Sequence, residues 1–261
     1  MTLVRHECRQ ARISFFIWTG VVGFLLAVCV FLFPEMKGQM EGVNALFSSM
    51  GSFTAAFGMD RLNFGTLTGY YAVECGNVLG LGGAFYAVLC GVNLLSKEEK
   101  DKTAEFLLTH PVSRSKIITD KLFALLLQVT AMNLVIYMVA VSSVHAIGET
   151  IPWRDLNLLH LAYYLLQLEL AGICFGISAY LRKSGFGIGI GLAAFLYFLN
   201  LIANITQKTE FLKFVTPFGY CNAADIVADG SLDLKKISAG MVLCLLGIGM
   251  AYRNYTAKDI H

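Results

Sequence analysis

Long apolar runs alternate with short polar intervals along this chain, and the runs have the length of membrane spans. Six are predicted, over about 13–33, 66–95, 117–145, 156–181, 185–206 and 237–252. A helix of about twenty apolar residues crosses a hydrocarbon core of roughly 30 Å, and most of these runs reach that length. The last is the shortest. Residues 1–12 space Arg5, Arg9 and Arg12 between apolar positions, the pattern of a short amphipathic helix at the membrane surface. The first run is too long for a signal-peptide core and no small-x-small cleavage pattern follows it, so it is read as a retained span. Residues 46–58 are too short and too polar to span. Residues 207–236 are read as an external segment, and the pattern leaves open whether they dip back toward the bilayer as short helices. The expectation is one all-α, six-span integral membrane domain over 1–261.

Composition agrees. Hydrophobic residues make up 56% of the chain and charged residues 15%, against about a quarter charged in soluble domains. Mean hydropathy is +0.64. A net charge of +2 with no basic-aromatic stripe gives no sign of nucleic-acid binding. Charge placement orients the chain. Only seven of the 20 lysines and arginines (Lys37, Arg61, Arg154, Lys208, Lys213, Lys235 and Lys236) fall on one side of the six-span arrangement. The side richer in Lys and Arg is the cytoplasmic one, which puts both termini and residues 97–115 inside the cell, in a multi-pass protein of the plasma membrane.

The polar interval between the second and third spans is the most charged in the chain. From Leu94 to Lys121 it reads LLSKEEKDKTAEFLLTHPVSRSKIITDK. Glu98, Glu99, Lys102 and Glu105 with Phe106, Leu107 and Leu108 form a helical pattern. It should stop near His110, because Pro111 lacks an N–H and disfavours helix in the residue before it. A Ser-Arg-Ser-Lys turn and a second helical start follow. A short amphipathic helix between two spans is placed to touch something outside the membrane.

This interval resembles the coupling segment of ABC-2 type transporter permeases. That family has a charged cluster, Gly-Thr-x-Glu, a Leu-Leu pair, Pro-x-Ser-Arg and a later Lys. Here Thr103, Glu105, Leu107, Leu108, Pro111, Ser113, Arg114 and Lys121 stand in that order, with Lys102 where many members have Gly. Downstream, Thr216-Pro217-Phe218-Gly219-Tyr220 resembles the family's Pro-Phe segment before the last span. The resemblance implies a type V exporter permease fold with an N-terminal amphipathic helix and a cytoplasmic coupling helix. The ATPase-coupling residues it implies are Glu98, Glu99, Asp101, Thr103, Glu105, Phe106, Leu107, Leu108, Pro111 and Arg114. It further implies a dimer, with a second copy or a close relative, carrying two copies of a separate ABC ATPase subunit. Small permeases with such a segment look most like exporters of amphipathic or antimicrobial peptides, while drugs, sodium or lipid-linked substrates stay open.

No Walker A sequence occurs, so the chain is expected to bind no cofactor itself, with ATP and Mg on the partner ATPase. Gly185, Gly187, Gly189 and Gly191 follow no strand and precede no Lys-Ser/Thr. They read as small-xxx-small packing pairs, as do Gly76 and Gly80. Seven scattered cysteines and five unpaired histidines form no metal spacing and no Ser-His-Asp set, so no catalytic or metal residue is assigned.

Two carboxyls lie inside spans. A charge at a helix centre costs about 2.5–3.5 kcal/mol on insertion scales, so it faces a bundle interior or water. Glu169 shares a face with Gly172 and Gly176. It reads either as a polar element of the path or dimer interface, or as a structural carboxyl, protonated or hydrogen-bonded. Glu74 stacks with Asn77, and Asn200 with Asn204. Glu74, Asn77, Glu169, Asn200 and Asn204 are the candidate translocation path. A proton-coupled secondary transporter using Glu74 or Glu169 is the alternative, but it predicts inverted repeats that the two halves do not display. A membrane sensor or scaffold that transports nothing is a third class, in which the coupling segment has no energetic role.

Overall fold

The computed structural model describes residues 2–38, 50–59, 61–101, 112–205 and 207–257. Every regular element among them is helical: α1 (Thr2–Lys37), α2 (Ser52–Ala56), α3 (Leu67–Asn77), α4 (Gly83–Val92), α5 (Lys97–Lys100), α6 (Arg114–Ala146), α7 (Trp153–Ser178), α8 (Phe186–Ile205), α9 (Ala223–Asp229) and α10 (Leu234–Ala257). A π-helical turn, Val78–Gly82, joins α3 to α4, and 3-10 turns cover Gln207–Phe214 and Pro217–Tyr220. Among the described residues six helices are long and apolar enough to cross a membrane, α3 and α4 counting as one. They run alternately up and down. One end of the bundle (the near end) therefore holds Glu7, Lys97, Lys121 and Tyr255, and the other (the far end) holds residues 147–152 and 207–233.

The first, third and last spans extend outward from the bounds the apolar runs suggest, the second and fifth are slightly shorter, and the fourth is shifted three residues toward its start. The amphipathic stretch 1–12 is helical and continues without a break into the first span. Pro34, expected to open the external segment, lies inside α1. At 36 residues α1 is about 54 Å long, well beyond a hydrocarbon core, so both its ends project past the apolar band. Pro34 falls in the last turn of α1, where the chain loses one backbone bond instead of a continuing ladder. The last span, expected over 237–252, occupies Leu234–Ala257. Asp233 supports the early start: its carboxylate accepts the Lys235 N–H at 3.0 Å and the Lys236 N–H at 3.4 Å. At the near end Ser113 caps α6, accepting from the Lys116 N–H, so Arg114 is the first residue of the third span and not part of a separate turn.

Helix α7 forms the axis. Two-thirds of its apolar window is buried, against about a quarter to a third for α1, α6, α8 and α10. Glycines decide what it touches. On one side a Cβ at Gly76 or Gly80 would meet the Tyr163 ring, one at Gly83 would meet Gln167, and one at Gly91 the Ala171 carbonyl. On the other side Gly172 and Gly176 of α7 lie against Cys244 and Gly247 of α10. Small residues let backbones approach where lipid supplies no hydrophobic drive for helices to associate. Gly185 and Gly189 seat α8 on Val88 and Val92 of α4, whereas Gly187 and Gly191 face open space. Only one of the two predicted glycine faces packs. Phe16, Phe24, Phe123, Leu134, Phe195, Phe198 and Leu245 stand exposed around the outside, as a lipid-facing surface requires.

Hydrogen bonds between side chains fasten α6 to α7: Thr130 to Tyr164 at 2.9 Å, Asn133 Nδ2 to Gln167 Oε1 at 2.7 Å, and Tyr137 O–H to Asn157 Oδ1 at 2.7 Å. The Tyr71 hydroxyl lies 2.7 Å from His160 Nε2. At the far end the Pro-Phe segment folds back into the bundle. Thr216 caps its 3-10 turn, and Pro217, Phe218, Gly219 and Tyr220 are all buried, Phe218 lying edge-on to Tyr197.

Candidate functional site

At the near end four charges from three elements meet in a water-poor layer. Lys121, fully buried on α6, donates to the Leu94 carbonyl at 2.6 Å and to the Glu98 carboxylate. It also lies 3.3 Å from the Glu7 carboxylate of α1. Lys97 of α5 donates to Glu7 and, at 2.6 Å, to Gln10. Two acids thus face two bases, and the cluster is neutral. Taking a charge out of water costs several kcal/mol, and only close partners repay it. The arrangement also explains why α1 begins so early. Its first turns bring Glu7 inward while Arg5, Arg9 and Arg12 stay exposed on the opposite face. Close by, Arg114 donates to the Thr256 carbonyl at 3.3 Å and the Thr119 hydroxyl meets the Tyr252 hydroxyl at 2.7 Å, so α10 joins the same layer.

Among the expected coupling residues, Glu98 enters this cluster. Glu99 lies on the same turn, Asp101 is exposed where that turn ends, and Arg114 opens α6. Thr103, Glu105, Phe106, Leu107, Leu108 and Pro111 lie outside the described residues. Lys121 appeared in the sequence as the motif's trailing lysine. Glu7 gave no signal, being a lone acid among arginines, and Lys97 looked like one more charge in a run.

At the far end a cavity of about 50 Å³ holds Asn77, Asn200 and Asn204 on its wall, with Tyr163, Tyr197 and Asn222. The Tyr197 hydroxyl donates to Asn77 Oδ1 at 3.3 Å, Asn222 Nδ2 to Asn204 Oδ1 at 3.2 Å, and Asn204 Nδ2 to the Ala56 carbonyl at 3.0 Å. Asn200 is buried, and its Oδ1 has no hydrogen-bond partner among the described residues. The space suits a water or two and no larger solute.

The two carboxyls of the expected path are elsewhere. Glu74 is half-buried on α3, one turn before Asn77, and is not on the cavity wall. Glu169 is fully buried, with Gly240 of α10 and Tyr220 beside it. A Cβ on Gly240 would overlap its carboxylate. Glu169, Gly172 and Gly176 thus form one helix–helix seam against α10, away from the asparagine cavity. Among the described residues no three His, Cys, Asp or Glu converge as metal ligands.

The family model for ABC-2 family transporter proteins matches residues 1–260. The chain belongs to the ABC-2 transporter family. It is therefore a multi-pass transmembrane subunit of a transporter, and membership implies partnership with an ABC ATPase and with the bilayer. No curated protein matches the permease.

Proposed function

We propose that this permease is the membrane subunit of an ATP-driven exporter of an amphipathic peptide. It works as a dimer, favoured here as a homodimer, with two copies of a separate ATPase subunit that hold ATP and Mg. The near end faces the cytoplasm, and residues 97–114 receive the motion of the ATPase. The observation that carries this reading is the buried Glu7–Lys97–Lys121–Glu98 cluster. It fastens the start of the coupling segment to α1 and α6 through charges that are costly to separate, so a push on that segment moves two spans together. A loop held only by solvated charges would yield instead.

The test is purification of the tagged permease from its native membranes, with ATP hydrolysis assayed on what accompanies it. A P-loop ATPase without spans of its own should co-purify, and Glu105→Lys should release it or uncouple hydrolysis from added peptide. A well-folded permease that brings no ATPase would sink the proposal.

A further inference from the structure

A cleft of about 500 Å³ opens at the near end between α1 and α4, bordered by Phe186 at the start of α8 and Gln128 of α6. That volume is in the range of small-ligand sites. From Glu7 to Trp18 its α1 wall is about 16 Å long. Ala11, Trp18, Leu89 and Phe186 give it apolar surface, and polar groups continue into its depth.

The chemistry of those polar groups selects a ligand. Lys97, the cation on the wall, is occupied by Glu7 and Gln10. Asn93 is also occupied: its Oδ1 accepts the Gly185 N–H at 2.9 Å. Apart from the Ser14 hydroxyl and the Gln10 amide N–H groups, what remains is acceptor capacity. Asp101 is an exposed carboxylate at the rim. Gln128 is 7% exposed, its Nε2 donates to the Ala124 carbonyl at 3.1 Å, and its Oε1 has no partner among the described residues. Gln128 lies two turns beyond buried Lys121 on α6, about 10 Å deeper in the bundle. A buried acceptor without a donor costs about 1–3 kcal/mol. An alkyl tail in the cleft would leave it unsatisfied, and a peptide backbone N–H would not.

The geometry points to this cleft as a binding site for an apolar peptide segment with a free amino terminus, its ammonium on Asp101 and a backbone N–H on Gln128 Oε1. The ligand would lie against Gln10 and Glu7, the two partners of Lys97, so the site shares a wall with the ionic cluster. As an entry site for exported peptide, the cleft rests on the exporter reading; as a binding site it does not.

Trp18 and Trp153 are the two tryptophans of the chain, so a Trp153→Phe permease reports from the cleft alone. The full-length variant in phosphatidylcholine nanodiscs, without any ATPase, would be titrated with a short apolar peptide carrying bromophenylalanine as quencher. Saturable quenching of Trp18 is expected, at least about tenfold weaker for the N-acetylated peptide. Asp101→Asn and Gln128→Leu should each weaken it about tenfold, and a Trp18→Phe permease that keeps Trp153 should show none. Thermal melts check that each variant is folded, and Asp101→Asn, at the exposed rim, keeps the test decisive if Gln128→Leu is not. Quenching that never saturates, or that ignores both substitutions, overturns the proposal. So does bromododecylamine binding as tightly as the peptide and unaffected by Gln128→Leu, which would identify a lipid-type amine. Because binding is read on the permease alone, loss of the ATPase reading leaves this result standing, and the reverse also holds.

Discussion

Lys121 shows how one residue's surroundings set its cost. It is fully buried, and its partners Glu7 and Glu98 are nearly so. Removing one member of a buried pair leaves an uncompensated charge, at about 3–5 kcal/mol. Lys121→Met should therefore lower the melting temperature of the purified permease well below that of Lys97→Met, since Lys97 keeps 22% of its side chain exposed. Equal melting temperatures would mean that Glu7 and Glu98 find other partners. Asp233 is the contrasting case. Partial burial pushes its carboxyl up, but hydrogen bonds from Lys236 and Lys235 outweigh that and hold it below its ordinary value. A depressed acid stabilises the fold above its unfolded value and loses that contribution as pH falls through the folded one. The first turn of α10 should thus fray below about pH 4, visible as faster hydrogen exchange at residues 235–237. Asp233→Ala should produce the same fraying at neutral pH, costing about 1 kcal/mol.

Between helices, glycine geometry makes the sharper forecast. Gly176 lies against the backbone of Gly247 and Gly91 against the Ala171 carbonyl, so a methyl group at either must push two helices apart. Gly187 and Gly191 face open space. Gly176→Ala and Gly91→Ala should each cost a few kcal/mol, while Gly187→Ala should be neutral or stabilising by up to about 1 kcal/mol through helix propensity. Thermal melts in one detergent would compare them, and a Gly187→Ala protein as unstable as Gly176→Ala would refute the packing. In the sequence Gly172 and Gly176 stand at the same four-residue spacing as Gly187 and Gly191. Both faces of a span are apolar, because one meets protein and the other meets lipid, so periodicity alone does not tell which face is which.

For the whole permease, two polar places lie at opposite ends of the bundle, the charged layer near Lys121 and the asparagine cavity. We predict that single cysteines at Asn77, Asn200 and Asn204 react with a water-soluble thiol reagent added from the far-end side during ATP turnover and little at rest, when the cavity has room only for water. A cysteine at Glu169 should stay unreactive, because α10 covers it. Reaction at Glu169 but not at the asparagines would return that carboxyl to the path and remove the cavity from it.

The number of spans, their order and the coupling motif were fixed by the chain itself. Apolar runs of span length have few other stable arrangements when every backbone group must be satisfied in lipid. Lys121 and Glu98 were legible as motif members, and Asn77, Asn200 and Asn204 as stacked amides. Their partners were not. Glu7 reaches Lys121 only because α1 stays helical through residues that looked like a separate surface helix, and Asn222 reaches Asn204 only because the Pro-Phe segment folds back. Glu169 has the composition of a path residue and the position of a seam residue. That difference was decided by tertiary structure, since a polar group in a span is placed by whichever helix packs over it, and packing joins residues that sequence spacing keeps apart.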